Sequence, residues 1–233
     1  MPDNKSKLEG LYPFLHGKKQ DPDLLNKALA NSVSQKISNH MEVMNSFFEK
    51  NSQAVIDVAG AIADVYRKNG KLFTMGNGGS SCDASHLAVE FLHPVTAGRP
   101  ALTAVNLTCD TTMMTAVSND VGFSNIFVRQ VIAQAHSVDG LIGLSTSGNS
   151  DNLIKAFHKA KELGLITIGM AGMDGGEMAG AGLDHCLVVE TDSIHRIQEC
   201  HVAIYHILWD LVHTLLADDR GKLLTPLEEL REK

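Results

Sequence analysis

The chain has 233 residues with 20 basic and 27 acidic side chains, a formal net charge of −7, and apolar residues make up 44% of it. Those proportions belong to globular proteins and exclude a disordered or fibrous chain, while the acidic balance argues against a nucleic-acid or anionic-lipid partner held by charge. No run approaches the roughly 20 apolar residues of a membrane helix, and the polar opening leads into no apolar signal-peptide core, so a cytoplasmic protein without a membrane partner is expected.

Up to Lys68 there is no strand signal. A polar start and a Pro-containing stretch at Tyr12 to Pro22 lead into a helical pattern from Leu24 to Lys50 and a second from Ala54 to Lys68. Leu24, Leu25, Ala28, Leu29, Val33, Ile37, Met41, Met44 and Phe48 recur at helical spacing and form one apolar face, to be covered by a neighbouring subunit or by the chain's own domain. Residues 1–54 read as an N-terminal helical extension and residues 55–225 as the main domain.

Beyond Lys71 short apolar runs alternate with longer helical patterns. The candidate strands are Leu72 to Met75, Ala101 to Val105, Gly140 to Leu144, Ile166 to Met170 and Cys186 to Val189; clear amphipathic helices run from Asp151 to Leu163 and from Ser193 to Leu216. Strands this short and apolar are buried on both faces. They predict right-handed βαβ units and an α/β fold, a three-layer αβα sandwich with a central parallel sheet of about five strands. Aromatics are only 5% of the chain, so Leu, Ile, Val, Ala and Met must build the core. Cys82, Cys109, Cys186 and Cys200 are scattered with no C-x-x-C pair, which indicates reduced, partly buried thiols and neither a zinc knuckle nor a disulfide framework. Lys18-Lys19 and Arg67-Lys68 read as solvated surface.

Two turns carry signals for an anion. Gly76-Asn77-Gly78-Gly79-Ser80-Ser81 follows the first strand and precedes a helix expected to begin near Asp83; its glycines let the backbone approach a ligand, and helix-start N–H groups favour negative charge. The turn has neither the dinucleotide spacing nor a Gly-Lys-Ser/Thr ending. Ser145-Thr146-Ser147-Gly148-Asn149-Ser150 follows a second buried strand and opens the helix at Asp151. Ordinary capping accounts for one or two of its polar residues, not for six. Ligands of open α/β sheets sit outside the carboxyl ends of strands, where both turns fall. Together they suggest a site for a sugar phosphate.

His86 and Glu90, four residues apart, share a helix face. In Arg196-Ile197-Gln198-Glu199-Cys200-His201-Val202-Ala203-Ile204-Tyr205-His206, Gln198 and His206 lie two turns apart on nearly one face of an otherwise apolar helix, and the apolar neighbours of His206 predict its burial. His86, Glu90, Gln198 and His206 could hold a divalent metal, or equally serve as metal-free acid and base groups.

GNGGSSCDASHLAVE, SNDVGFSNIF, STSGNSDNLIKA, DGGEMAG and RIQECHVAIYHIL, in this order, resemble the SIS (sugar isomerase) domain and within it the phosphoheptose isomerases, over about residues 55 to 217. The resemblance implies isomerisation of sedoheptulose 7-phosphate to glycero-manno-heptose 7-phosphate, for lipopolysaccharide or surface glycans, by a zinc-containing homotetramer with active sites at subunit interfaces. It implies substrate and phosphate contacts from Asn77, Gly78, Gly79, Ser80, Ser145, Thr146, Ser147 and Ser150, and sugar contacts from Asn119 and Asp120. It also implies a metal and catalytic cluster of His86, Glu90, Gln198 and His206, with Gln198 and Glu90 also reaching substrate. Glu90 is the expected base, and His206 is expected to move protons at the oxygens or to act as the complementary acid. The sequence departs from the family pattern at Phe91-Leu92-His93-Pro94, where a Thr-Gly-Arg stretch is usual, and at His195, where an acidic residue is common. The rival reading is a non-catalytic SIS protein that binds a sugar phosphate or associates with a replication initiator; relatives of that kind are expected to lack the Glu90 and His206 equivalents.

Overall fold

The computed structural model describes residues 22–217. The expected Pro-containing stretch up to residue 21, Lys18-Lys19 and the end of the expected main domain, 218–225, lie outside the described residues. The chain divides after Met41 into two compact units. The first helix, α1, spans Pro22–Arg67. A break near residues 51–53 was expected and is absent. Asn51 Nδ2 donates to the Phe47 carbonyl at 2.9 Å and Ser52 Oγ donates to that of Phe48, so both side chains bond back into their own helix instead of capping a new one. In the first unit Leu24, Leu29, Val33, Ile37 and Met41 are all exposed.

In the second unit α1 buries Phe47, Val55, Val58, Ala59, Ile62 and Ala63. The chain continues through β1 (Leu72–Gly76), α2 (Gly79–Leu92), β2 (Ala104–Asn106), α3 (Thr111–Val121), a single 3-10 turn at Phe123–Asn125 and α4 (Ile126–Gln134). It ends with β3 (Gly140–Ser145), α5 (Asp151–Glu162), β4 (Ile166–Gly172), the short α6 (Gly176–Gly180), β5 (His185–Val189) and α7 (Ile194–Leu215). The strands form one five-stranded, all-parallel sheet in the order β2-β1-β3-β4-β5. The αβα sandwich expected from the apolar runs is therefore present.

Alternation along each strand explains why the runs are apolar throughout. Leu72, Ile142, Leu144, Ile168 and Met170 enter one core layer with α1, α2 and α7, while Phe73, Met75, Leu141 and Ala171 enter the other with α4 and α5. Strand boundaries hold within a residue or two, except that β2 keeps only the end of the expected Ala101–Val105 run. Helix α2 starts at Gly79, earlier than expected. Gly78, at φ 53° and ψ −124°, turns the chain directly from strand into helix in a conformation open to glycine. Cys186 and Cys200 are partly or fully buried, but Cys82 and Cys109 are exposed, against expectation, because they sit in the first turn of α2 and the turn after β2. Burial pushes the Cys200 thiol up to about 12.

The strand order places the chain's reversal between β1 and β3, and the carboxyl ends of these two neighbours carry the two polar turns. Such a switch point opens a crevice for a ligand.

Candidate active site

The two turns are joined by a reciprocal amide pair. Asn77 Nδ2 donates to Asn152 Oδ1 at 2.9 Å, and Asn152 Nδ2 donates to Asn77 Oδ1 at 3.0 Å. Asn152, which is buried, carries no local mark of this role in the sequence: its Oδ1 also accepts from the Leu153 backbone N–H at 3.1 Å, as a polar residue at a helix start commonly does. Thr74 Oγ1 donates to the Ala84 carbonyl at 2.8 Å and fixes α2 to β1.

Capping does not consume the hydroxyls of the second turn. Ser150 occupies the position preceding α5 but makes no side-chain cap, its Oγ lying 3.0 Å from Ser145 Oγ instead. Ser147 Oγ accepts from the Asn149 backbone N–H at 3.2 Å. Asn149 in turn accepts from the Glu177 N–H at 2.9 Å, and the Gly148 carbonyl accepts from the Met178 N–H at 2.9 Å, so the turn leans on α6. Helix α2 likewise begins at Gly78 with no side-chain cap. Two helix starts whose preceding residues make no side-chain cap, at one switch point, have the character that suits a phosphoryl group.

On α2 and α7 the structure brings together three of the four residues of the expected cluster. His86 Nε2 lies 3.1 Å from Glu90 Oε1, and the His86 and His206 ring centroids are 5.0 Å apart at an interplanar angle of 81°. Ligand atoms of His86, Glu90 and His206 all fall within 4.8 Å of one another. That separation and donor set suit three protein ligands around a zinc ion with a fourth position open. Burial of His206 was expected and is only partial. His206 faces the cluster, whereas His201, five residues earlier and so turned by roughly 140° about the helix, is fully buried.

Gln198 is held over the glycine-rich turn: a Cβ on Gly79 would stand 2.2 Å from Gln198 Nε2. A Gly79→Ala variant should therefore fold, since the obstructing atom is the end of a flexible side chain, but displace the Gln198 amide. The expected result is a lowered kcat/KM with a thermal midpoint within a few degrees of wild type, read by steady-state assay and thermal unfolding.

Trp209 Nε1 donates to the Glu90 carbonyl at 2.7 Å, tying the end of α2 to α7. The Arg99 guanidinium lies over the Trp209 ring at 4.4 Å and donates to Asp210 at 2.6 Å. Asn119 and Asp120 sit exposed near the end of α3, bonded to one another at 2.9 Å. Asn119 lines a cavity of ≈ 560 Å³ with Thr108, Thr111, Met114, Thr115, Ser118 and Phe123.

A parallel sheet with its polar turns at the switch point, flanked by a His and Glu cluster, defines a sugar-isomerase-type domain; residues 37–172 match the SIS domain family, to which the chain belongs. The phosphoheptose isomerase of Geotalea daltonii is 42% identical over 188 residues, spanning 81% of this chain and 97% of that protein. The structure of a phosphoheptose isomerase from Neisseria gonorrhoeae superposes with a TM-score of 0.75 at 34% identity, covering 80% of this chain and 99% of that one. The corresponding structure from Francisella tularensis gives 0.71 and 33%, over 84% and 100%. Within the SIS family the chain thus falls among the phosphoheptose isomerases, which are aldose–ketose isomerases.

Proposed function

We propose that the chain converts sedoheptulose 7-phosphate to D-glycero-D-manno-heptose 7-phosphate by proton transfer through an enediol, in the supply of heptose for lipopolysaccharide precursors. The observation that carries this reading is the meeting of the His86, Glu90 and His206 cluster with two amide-linked polar turns at one switch point. Ser145, Thr146, Ser147 and Ser150, with Asn77, Gly78, Gly79 and Ser80, bind the phosphate and the substrate chain; Asn119, Asp120 and Gln198 contact the sugar. Glu90 takes the proton from C1 and returns it to C2, and His206 moves the accompanying proton from the C1 hydroxyl to the C2 oxygen. Carbon and oxygen each exchange one hydrogen, so no other reactant is needed.

Zinc fits the donors, with His86, Glu90, Gln198 and His206 as the residues that would hold it; when bound, it would polarise the substrate carbonyl as a Lewis acid. A homotetramer with interfacial active sites, working in the cytoplasm, completes the proposal. The exposed apolar face of α1 from Leu24 to Met41 supports it, as do exposed Val89, Leu92 and Val95 next to Glu90. The division into an assembly extension over 1–54 and an SIS domain over 55–225 is part of the same reading. Among the described residues no helix is long and apolar enough to cross a membrane. The non-catalytic alternative is not favoured, because Glu90 and His206 are both present and close together.

Proton NMR of the protein with sedoheptulose 7-phosphate in deuterated water, with and without added zinc, tests the reading. The expected product is the aldoheptose phosphate with deuterium at C2. No conversion in either condition would reject this substrate.

A further inference from the structure

Every titratable group of the cluster has a role in the reading above except one neighbour. Tyr205 lies on α7 between buried Ile204 and Leu208, is 1% exposed, and places its hydroxyl 2.8 Å from His86 Nδ1. An apolar residue would fill such a position as well, and a buried phenol needs a partner. Here the partner is the ring whose other nitrogen faces Glu90 at 3.1 Å.

We propose that the Tyr205 hydroxyl, backed by Asp83, is a positioning group that satisfies His86 Nδ1 in either tautomer and so frees Nε2 to bind zinc. This rests on the functional reading of the cluster. A neutral imidazole has one N–H and one lone pair. When Nε2–H points at the Glu90 carboxylate, Nδ1 must accept, and Tyr205 donates its O–H. When Nε2 turns its lone pair to a metal, Nδ1–H must donate, and the Tyr205 oxygen accepts. A carbonyl or carboxylate in place of the hydroxyl would serve only the second state.

In the second state the tyrosine hydrogen needs another acceptor, and Asp83, three residues before His86 on the same face of α2, is the candidate, Asp83 and Tyr205 making no hydrogen bond in the present state. Asp83 Oδ2 is buried with no hydrogen-bond partner among the described residues. Its charge acts on the Tyr205 hydroxyl and is itself felt by His86, so the three groups lie within one electrostatic neighbourhood. His86 is too exposed to be held by packing alone, its side chain being 45% accessible, which leaves its orientation to these contacts. Outer partners of this kind commonly change metal affinity ten- to a hundred-fold.

The test compares wild type, Tyr205→Phe and Asp83→Leu by zinc affinity, measured in competition with a chelator, and by the ring-nitrogen shifts of His86 in metal-free protein. Tyr205→Phe keeps the ring in place, and thermal unfolding checks the fold. The expected result is zinc binding weakened about ten- to a hundred-fold, with the His86 Nδ1 shift moving as its hydrogen bond is lost. Asp83→Leu should weaken zinc in the same direction. Wild-type affinity together with unchanged ring shifts in Tyr205→Phe would overturn the assignment, and wild-type affinity in Asp83→Leu would remove Asp83 from it. If wild type itself takes up no zinc, the metal reading fails separately. The metal-free ring shifts then still decide whether the Tyr205 hydroxyl bonds His86 Nδ1.

Discussion

Glu90→Gln should lower isomerase turnover roughly a thousand-fold while leaving the fold intact. Glutamine has the shape of glutamate and can still bond His86, but it cannot take a proton from carbon. The backbone at this position is held independently of the side chain, because Trp209 Nε1 donates to the Glu90 carbonyl. The loss therefore reports chemistry and not collapse of α2. The effect should fall on kcat with KM nearly unchanged, since on the proposed reading the phosphate contacts come from the two polar turns and not from Glu90. Turnover is read by the aldose product, and the missing proton transfer by the absence of deuterium in recovered sedoheptulose 7-phosphate. A variant that still exchanges and turns over near the wild-type rate would remove Glu90 as the base. Loss of zinc from the same variant, measured separately, distinguishes a ligand role from a base role.

Most of the scaffold was legible because parallel strands buried on both faces leave uniform apolar runs, and Leu72 to Met75 or Gly140 to Leu144 can be little else. The polar turns were equally plain, since glycine and hydroxyl residues at strand ends serve few other purposes. What escaped depended on partners distant in sequence. Nothing local marks Asn152 as the mate of Asn77, across 75 positions, or Tyr205 as the mate of His86, across 119. The helix break expected after Lys50 failed for the opposite reason. Asn51 and Ser52 are common capping residues, and only their bonds back to Phe47 and Phe48 show that they continue α1. His201 and His206 have nearly the same neighbours in sequence, so composition could not say which faces the core. The rotation of α7 against β4 decides it, turning His201 inward.

That inward rotation gives the protein an acid-labile element. His201 is fully buried, and its ring Nε2–H donates to the Ala171 carbonyl at the end of β4 at 3.1 Å. Burial pushes its pKa down to about 4, against the ordinary 6.5, with the bond to Ala171 opposing only part of the fall. In the unfolded chain the ring takes up its proton near 6.5, whereas the folded state resists until about 4. Between those values the unfolded state binds more protons, so stability falls as pH falls. The contribution is complete above 6.5 and diminishes through the window by about 3 kcal/mol, from 2.5 units at 1.36 kcal/mol each. Urea unfolding at a series of pH values measures it. His201→Gln can still donate to Ala171 but does not titrate, so its stability should fall less steeply over the same window. Parallel curves for the two proteins would show that His201 does not couple to folding in this way. Because His201 lies on α7 between Gln198 and His206, its protonation would release the register of both against the sheet. Activity lost below pH 5 should therefore return on neutralisation together with the native fold.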